Sequence, residues 1–297
     1  MRALPGCPHA LALLGSVLRT GRLVTYRSTG MIISQRNRTM SALEHLTAHP
    51  VERRYRSPLL LLHGAWHGAW CWEPAMADMA ERGFDVHAMS IRGHGGSPVP
   101  PGHWRSTVLD YAREVRHILA TLGDQPIVVG HSAGGYVVQL LITGIVGPAP
   151  QVAGAVLLCS SPLNIGAYFI DRGLRRAPMV NLPALLRREP TAVRQALFRP
   201  DLPDAELECH RVRMVAEPPL VALSSMLLRP RPAACRVPVL VIAAERDAIF
   251  DVAAQRETAA AYRARLVVAP GAAHDLMLDP AWPLAAEAIE RFAGSLV

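Results

Sequence analysis

The chain has 297 residues, of which 51% are hydrophobic and 19% charged, a composition typical of compact globular proteins and unlike that of disordered chains. Its net charge of +7 is concentrated at one end, because residues 1–40 contain six arginines and no acidic residue. The rest of the chain is close to neutral, so we expect no extended positive surface and no nucleic-acid partner.

The first 40 residues form an N-terminal extension that we predict to be disordered. An apolar stretch at residues 10–18 lies among arginines, serines and threonines, which resembles a weak targeting peptide, but no small-residue cleavage site of the A-x-A kind follows it. Met31 and Met40 leave open a start further along the chain. We therefore favour a disordered tail or upstream sequence over a targeting signal.

Hydropathy and cysteine usage indicate the cellular location of the protein. No run of about 18 apolar residues occurs, so we predict no stable membrane insertion. The five cysteines are widely spaced and form no C-x-x-C pair, which favours reduced thiols and a cytoplasmic protein. The sequence leaves open a monomer or a homodimer.

From residue 58 onwards, short apolar runs alternate with longer amphipathic ones, the pattern of a mostly parallel sheet with helices on both faces. Predicted strands cover residues 58–64, 84–91, 126–130, 152–159, 238–244 and 265–269. Predicted helices cover residues 70–82, 106–122, a stretch after residue 135, 253–262 and 284–292. The predicted fold class is therefore α/β.

Residues 162–237 break this alternation and are rich in proline, arginine, leucine and methionine. We interpret them as a helical cap inserted into a core that residues 41–161 and 238–297 form. The arginines of this segment offer a positive surface for an anionic substrate or a lipid, but a solvated outer face is the interpretation we favour.

Residues 130–134 read Gly-His-Ser-Ala-Gly, a G-x-S-x-G motif between a predicted strand and a predicted helix. The flanking glycines let the backbone turn sharply without a Cβ clash. In that context the motif exposes a serine hydroxyl at the carboxyl edge of the sheet, beside the amino terminus of a helix. Ser132 is therefore the candidate nucleophile.

A serine hydroxyl needs a base to accept its proton and an acid to orient that base. With this motif, the acid and then the histidine follow the serine, on loops after late strands. Asp247 and His274 follow the last two predicted strands. Four other acids lie near them: Glu245, Asp251, Asp275 and Asp279. Asp251 looks like the N-cap of the next helix and the last two look like helix-start or surface residues, so we assign the acid to Asp247.

Negative charge that develops on an attacked carbonyl oxygen needs hydrogen-bond donors. The amide after the nucleophile, that of Ala133, is one candidate, and the loop after the first strong strand should supply the other, for which we choose Ala65. Trp66 and His131 are neighbours of these residues in the sequence and are the candidate substrate-binding side chains.

A metal site is the alternative use of the histidines near these motifs, namely His63, His67, His94 and His131. His63 and His67 are four apart, but Gly64 and Gly68 make their segment a loop, and the glutamate of H-E-x-x-H is missing. The sequence also lacks the glycine motifs that cradle phosphates or dinucleotides. We therefore predict no metal and no cofactor.

Together these features resemble the α/β-hydrolase superfamily over residues 58–297. The resemblance is carried by His63-Gly64, the GHSAG motif and the late Asp247 and His274. The string HGAWHGAWCW at residues 63–72 is similar to a segment of plant methyl-ester esterases and hydroxynitrile lyases. The loop RGHGGS at residues 92–97 is similar instead to bacterial esterases and lysophospholipase-like hydrolases, although Ser90 stands where they often have an acid.

The resemblance implies a serine esterase of the lysophospholipase-like branch, which cleaves a carboxylic ester, lysophospholipid or lactone through a Ser132-His274-Asp247 triad and an acyl-enzyme. Its substrate would be a small-molecule ester, and no cofactor would be needed. A cofactor-free lyase or a C–C hydrolase on the same fold is an alternative, but the chain has no lysine, which counts against the known hydroxynitrile-lyase arrangement. A non-catalytic ligand-binding relative is a further alternative, disfavoured because all three triad residues are present.

Overall fold

The computed structural model describes residues 24–28, 31–35, 43–174 and 180–296. In these ranges the strands form one sheet with the order β1-β2-β3-β5-β4-β6-β7-β8-β9. The strands are β1 Val24–Ser28, β2 Met31–Gln35, β3 His45–Ala48, β4 Leu59–Leu62, β5 Val86–Met89, β6 Ile127–His131, β7 Gly154–Leu158, β8 Val239–Ala244 and β9 Arg265–Ala269. The pairings of β1, β2 and β3 are antiparallel, and every pairing among β4 to β9 is parallel.

Helices cover both faces of this sheet. They are α1 Glu73–Glu81, α2 Val108–Leu119, α3 Ala133–Ile142, α4 Ile165–Leu174, α5 Leu182–Leu186, α6 Pro190–Leu197, α7 Asp204–Arg211, α8 Pro219–Leu227, α9 Val252–Tyr262 and α10 Trp282–Gly294. Leu59 and Leu61 of β4 belong to a cluster with α1 and α10, whereas Leu60 and Leu62 belong to one with α2 and α3. Because side chains alternate along a strand, a strand buried on both faces is apolar at every position. The predicted α/β fold is confirmed.

Two glycines let α3 begin directly against the sheet. A Cβ on Gly134 would lie 2.3 Å from the carbonyl oxygen of His63, and one on Gly130 would lie 2.7 Å from the Cα of Gly135. Both contacts are with backbone atoms, which have little freedom to move aside, so larger residues do not fit at these positions. The close packing brings the loop after β4 next to the start of α3.

Five short helices, α4 to α8, lie between β7 and β8, within the segment 162–237 where the predicted alternation breaks. Strands β1 and β2 fall within the extension 1–40, so the structure differs from the predicted disorder in those two segments. The other residues of the extension lie outside the described ranges. The domain boundaries themselves stay a prediction.

The cysteines of the described ranges differ in state. Cys71, Cys159 and Cys235 are free thiols, whereas Cys209 is disulfide-bonded, so the expectation of reduced thiols is wrong for Cys209. Burial raises the pKa of the Cys71 and Cys159 thiols well above its usual value, so neither is an activated thiolate. Among the helices described, none has both the length and the apolar character needed to cross a membrane.

Candidate active site

Ser132 stands at the bend between β6 and α3. Its backbone has φ 52° and ψ −120°, a sparsely populated conformation that costs a non-glycine residue about 1–3 kcal/mol. The bend is held because the Ser132 amide donates to the Leu158 carbonyl oxygen at 3.1 Å, while the Ser132 carbonyl oxygen accepts the amides of Tyr136 and Ser161 at 3.2 and 3.1 Å. The hydroxyl therefore projects from a fixed backbone at the amino terminus of α3.

The structure brings Ser132, His274 and Asp247 into one chain of hydrogen bonds. His274 Nε2 lies 2.9 Å from Ser132 Oγ, and His274 Nδ1 lies 2.7 Å from Asp247 Oδ2. With Nδ1–H donating to the carboxylate, Nε2 is free to accept the hydroxyl proton of Ser132. The three residues predicted from the sequence thus meet at the carboxyl edge of the sheet, on the loops after β6, β8 and β9.

The Asp247 carboxylate is oriented by the main chain and in turn affects the charge of His274. Its Oδ1 accepts the amides of Ile249 and Phe250 at 2.8 and 2.9 Å, which leaves Oδ2 for His274. Burial acts to lower the pKa of His274, but the charge and hydrogen bond of Asp247 outweigh it and raise the pKa above its ordinary value. His274 is therefore a stronger base than an ordinary histidine, and Asp247 stabilises the imidazolium that forms when Nε2 takes up a proton.

The other acids that follow β8 and β9 bind main-chain amides. Glu245 accepts the Gly271 amide at 2.8 Å, and Asp251 accepts the Ala254 amide at 2.9 Å as the N-cap of α9, as we predicted. Asp279 accepts the amides of Ala273 and Ala281, both of which precede α10. None of these three carboxylates contacts His274 in the described residues, so the acid of the hydrogen-bonded chain is Asp247.

Asp275 corrects our expectation of a helix-start or surface residue. It is 1% exposed, and its Oδ2 lies 2.9 Å from His67 Nε2. The other ring nitrogen of His67, Nδ1, lies 2.6 Å from the Ala65 carbonyl oxygen. Both nitrogens thus face acceptors, which indicates an imidazolium; burial acts to lower the pKa of His67, but Asp275 outweighs it and raises the pKa. A second, buried histidine–carboxylate pair therefore lies beside the first.

The predicted oxyanion donors are the amides of Ala65 and Ala133. A Cβ on Gly64 would lie 2.9 Å from the Cβ of Ser132, so the loop after β4 approaches the serine closely. His63 Nδ1 lies 2.7 Å from the Gly64 carbonyl oxygen, which shares a planar peptide with the Ala65 amide and so sets its direction. Neither candidate amide has a hydrogen-bond partner among the described residues, and both are therefore available to an oxyanion.

The two candidate substrate-binding residues occupy different environments. His131 is 1% exposed, and its Nε2–H donates to the His274 carbonyl oxygen at 3.0 Å. Burial and the neighbouring His274 lower the pKa of His131 to about 3, so its ring is neutral. This contact favours a role in orienting His274 over the substrate contact that we predicted. Trp66 is half-buried with φ 67°, and its contact with a substrate stays a prediction.

Glu217, between α7 and α8, is a carboxylate that the sequence analysis missed, and its side chain is 13% exposed. Its Oε1 accepts the Trp66 amide at 2.9 Å and His94 Nε2 at 2.8 Å, and its Oε2 accepts the Tyr111 hydroxyl at 2.9 Å. Burial acts to raise the pKa of Glu217, but the charge of His94 and these hydrogen bonds lower it to about 2. Its partners lie 106 to 151 residues away in the sequence, so no local pattern marks this glutamate.

Three potential metal ligands, His131, His274 and Asp275, have donor atoms within 4.8 Å of one another. Both ring nitrogens of His274 are already hydrogen-bonded, to Ser132 and to Asp247. A metal ion bound here would have to displace one of those contacts. The geometry therefore favours His274 as a base over His274 as a ligand.

A family model, that of the Alpha/beta hydrolase family, matches residues 59–286. This range runs from β4 into α10 and contains Ser132, Asp247 and His274. The chain therefore belongs to the alpha/beta hydrolase family, and the resemblance found in the sequence is confirmed.

Curated relatives match over shorter stretches. Putative methylesterase 15, chloroplastic, from Arabidopsis thaliana is 30% identical over 142 residues, which are 44% of this chain and 31% of that protein. A pyrethroid hydrolase from Sphingobium wenxiniae is 36% identical over 78 residues, which are 26% of this chain and 27% of that protein. The chain spans about a third of the length of the curated relatives it matches.

Solved structures match over most of the chain. An esterase from Rhodococcus sp. ECU1013 has a TM-score of 0.65 and 21% identity, covering 86% of this chain and 96% of that one. A thermophilic esterase from Thermogutta terrifontis has a TM-score of 0.63 and 21% identity, covering 93% of this chain and 99% of that one. Similarity at this level of identity establishes the shared fold.

The buried pair of His67 and Asp275 predicts a large stability effect. Asp275→Ala should lower the free energy of unfolding by about 3–5 kcal/mol, because it leaves the His67 imidazolium buried without its counter-charge. Glu287→Ala is the control, since it removes the partner of Arg291 from an exposed pair and should cost less than about 1 kcal/mol. Urea unfolding at pH 6 measures both. Equal, small losses in the two variants would contradict the charged pair.

Proposed function

We propose that this protein is a serine hydrolase that cleaves a carboxylic ester of a small molecule through Ser132, His274 and Asp247. The observation that carries the proposal is the unbroken chain of hydrogen bonds from Asp247 through His274 to Ser132, with lengths of 2.7 and 2.9 Å. Membership of the alpha/beta hydrolase family supports it, as do relatives named methylesterase and esterase. No cofactor takes part in the proposed reaction.

The proposed reaction has two halves. Ser132 Oγ attacks the ester carbonyl carbon while its proton passes to His274 Nε2, and the amides of Ala65 and Ala133 bind the oxyanion that forms. When this tetrahedral intermediate collapses, the C–O bond to the alcohol breaks and His274 returns the proton to the leaving oxygen. A water molecule, deprotonated by His274, then attacks the acyl-serine carbonyl carbon. The bond from that carbon to Ser132 Oγ breaks, the acid is released, and His274 returns the proton to Ser132 Oγ. Asp247 stabilises the imidazolium in both halves.

We infer further that the segment 162–237 acts as a helical cap over this site. Two contacts of the segment with site loops support the inference. The Val215 amide donates to the Trp66 carbonyl oxygen at 2.9 Å, and the Leu197 carbonyl oxygen accepts the Asp275 amide at 2.9 Å. The segment thus lies against both the proposed oxyanion loop and the loop of the base, where it selects the ester. Lysophospholipids and lactones remain within the proposed range.

A cofactor-free lyase or C–C hydrolase would use the same three residues. The chain has no lysine, which counts against the hydroxynitrile-lyase arrangement. A ligand-binding protein without activity has no need of a histidine held between a carboxylate and a serine hydroxyl, and this argues for chemistry at the site. Cytoplasmic location and a monomeric or homodimeric state stay predictions.

The proposal predicts both turnover and covalent labelling at Ser132. The purified protein should hydrolyse short p-nitrophenyl esters and bind one fluorophosphonate per chain at Ser132, as read by mass spectrometry. Ser132→Ala should lose both, with turnover reduced by about 10³-fold or more, because within the described ranges no other hydroxyl is hydrogen-bonded to His274. Ser295→Ala, at an exposed serine far along the chain, is the control and should retain both. If the wild-type protein showed no hydrolysis and no labelling, the proposed ester hydrolysis would be contradicted.

The acid can be tested by exchanging one oxygen for nitrogen. Asp247→Asn should lower kcat by about 10³–10⁴-fold, because an amide no longer holds the required tautomer of His274 or stabilises its charge. Asp251→Asn is the matched control: asparagine caps helices as well as aspartate does, so kcat should stay within about threefold. Steady-state kinetics on one ester compares the two. Full activity in the first variant and loss in the second would overturn the assignment.

The raised pKa of His274 predicts the pH dependence of turnover. His274 accepts a proton only when it is neutral, so kcat/KM should rise with pH and reach half its maximum above pH 6.5, the ordinary histidine value. In Asp247→Asn, the midpoint of the remaining kcat/KM profile should move to lower pH, because the carboxylate that raises the pKa of His274 is gone. A pH–rate profile of both proteins tests this. A wild-type midpoint at or below pH 6.5 would count against it.

A further inference from the structure

The peptide unit between Ala65 and Trp66 is held at both ends. His67 Nδ1–H donates to the Ala65 carbonyl oxygen at 2.6 Å, and the Trp66 amide donates to Glu217 Oε1 at 2.9 Å. Because a peptide unit is planar, fixing both of its polar groups fixes its orientation. The next carbonyl, that of Trp66, accepts the Val215 amide at 2.9 Å. Residues 215–217 are therefore hydrogen-bonded to the loop immediately after Ala65.

These hydrogen bonds help to fix the direction of the Ala65 amide. The peptide on the other side of Ala65 is held by His63 Nδ1 through the Gly64 carbonyl oxygen at 2.7 Å. Trp66 has φ 67°, which a bulky residue adopts only when its surroundings hold it there. Since the Trp66 amide is occupied by Glu217, the loop offers the Ala65 amide to an oxyanion.

Glu217 is charged and well supported at this position. His94 Nε2 lies 2.8 Å from Glu217 Oε1, and His94 Nδ1 lies 3.0 Å from the Arg92 carbonyl oxygen, so both ring nitrogens face acceptors and the ring carries two protons. The Tyr111 hydroxyl donates to Oε2. The carboxylate is therefore anchored by a cation and a hydroxyl, and its remaining hydrogen bond goes to the loop.

We propose that Glu217 is a positioning residue, whose carboxylate holds the Trp66 amide and thereby directs the Ala65 amide toward the oxyanion. The inference rests on the proposed ester hydrolysis, since it takes Ala65 as an oxyanion donor. In this role Glu217 makes the segment between β7 and β8 part of the catalytic arrangement, in addition to its proposed role as a cap over the site. Turnover then depends on the position of residues 215–217 as well as on the triad.

A kinetic test separates positioning from a purely structural role. Glu217→Met fills a similar volume without an acceptor and should lower kcat by about 10²-fold, the effect of losing an aligned oxyanion donor, while KM stays within about threefold. Glu217→Gln keeps an oxygen that can accept the Trp66 amide, so its kcat should be at least about tenfold higher than that of Glu217→Met. Glu189→Gln, at an exposed acid of the same segment, is the control. An unchanged kcat in Glu217→Met, or a loss confined to KM, would overturn the proposal.

Hydrogen exchange tests the same contact without relying on activity. In the wild-type protein the Trp66 amide should exchange at least about 10²-fold more slowly than the Ala65 amide, and Glu217→Met should remove at least about tenfold of this protection while Glu189→Gln leaves it unchanged. NMR with residue resolution measures both amides. Fast exchange of the wild-type Trp66 amide would overturn the proposal even if the protein hydrolyses esters. Absence of hydrolysis and of Ser132 labelling would instead overturn the proposed function, and the exchange rates would still decide the Glu217 contact.

Discussion

The hydrogen bond between Ser132 Oγ and His274 Nε2 is the interaction on which the rest of the site depends, because a serine hydroxyl without a base is a weak nucleophile. At 2.9 Å it joins residues 142 positions apart, which requires the loops after β6 and β9 to meet. Parallel strands make this possible, since their carboxyl ends share one edge of the sheet. The glycines at 130 and 134 bring α3, and with it Ser132, close enough to that edge.

Buried charge surrounds this hydrogen bond. The pair His67–Asp275 lies in the interior, and the pair His94–Glu217 is largely buried. An ion in such surroundings is stable only with a counter-ion and hydrogen bonds nearby. Each histidine also donates to a main-chain carbonyl oxygen, His67 to that of Ala65 and His94 to that of Arg92. The charged pairs therefore hold loops as well as each other, and the site keeps its shape through polar contacts as much as through apolar packing.

The parallel sheet and the segment between β7 and β8 have different roles in the proposed enzyme. The parallel sheet, which lies within the range that the family model matches, carries Ser132, His274 and Asp247, the proposed nucleophile, base and acid, on its loops. The segment between β7 and β8 adds contacts from Leu197, Val215 and Glu217 to the loops of the base and of the oxyanion donor. If the proposed roles of this segment hold, a change in it alters both which ester binds and how well the bound ester reacts. Such a division lets one fold support different substrates without a new triad.

The sequence by itself determined the alternation of strands and helices, the bend at Ser132 and the order of Asp247 and His274, because these follow from local patterns and from the shared edge of parallel strands. It led to a wrong expectation for Asp275 and was silent on Glu217. Only the tertiary structure decided that Asp275 turns inward to His67, 208 residues away, and that Glu217 reaches Trp66, 151 residues away. Burial and hydrogen bonding between such distant residues arise from packing, which no local pattern of residues encodes.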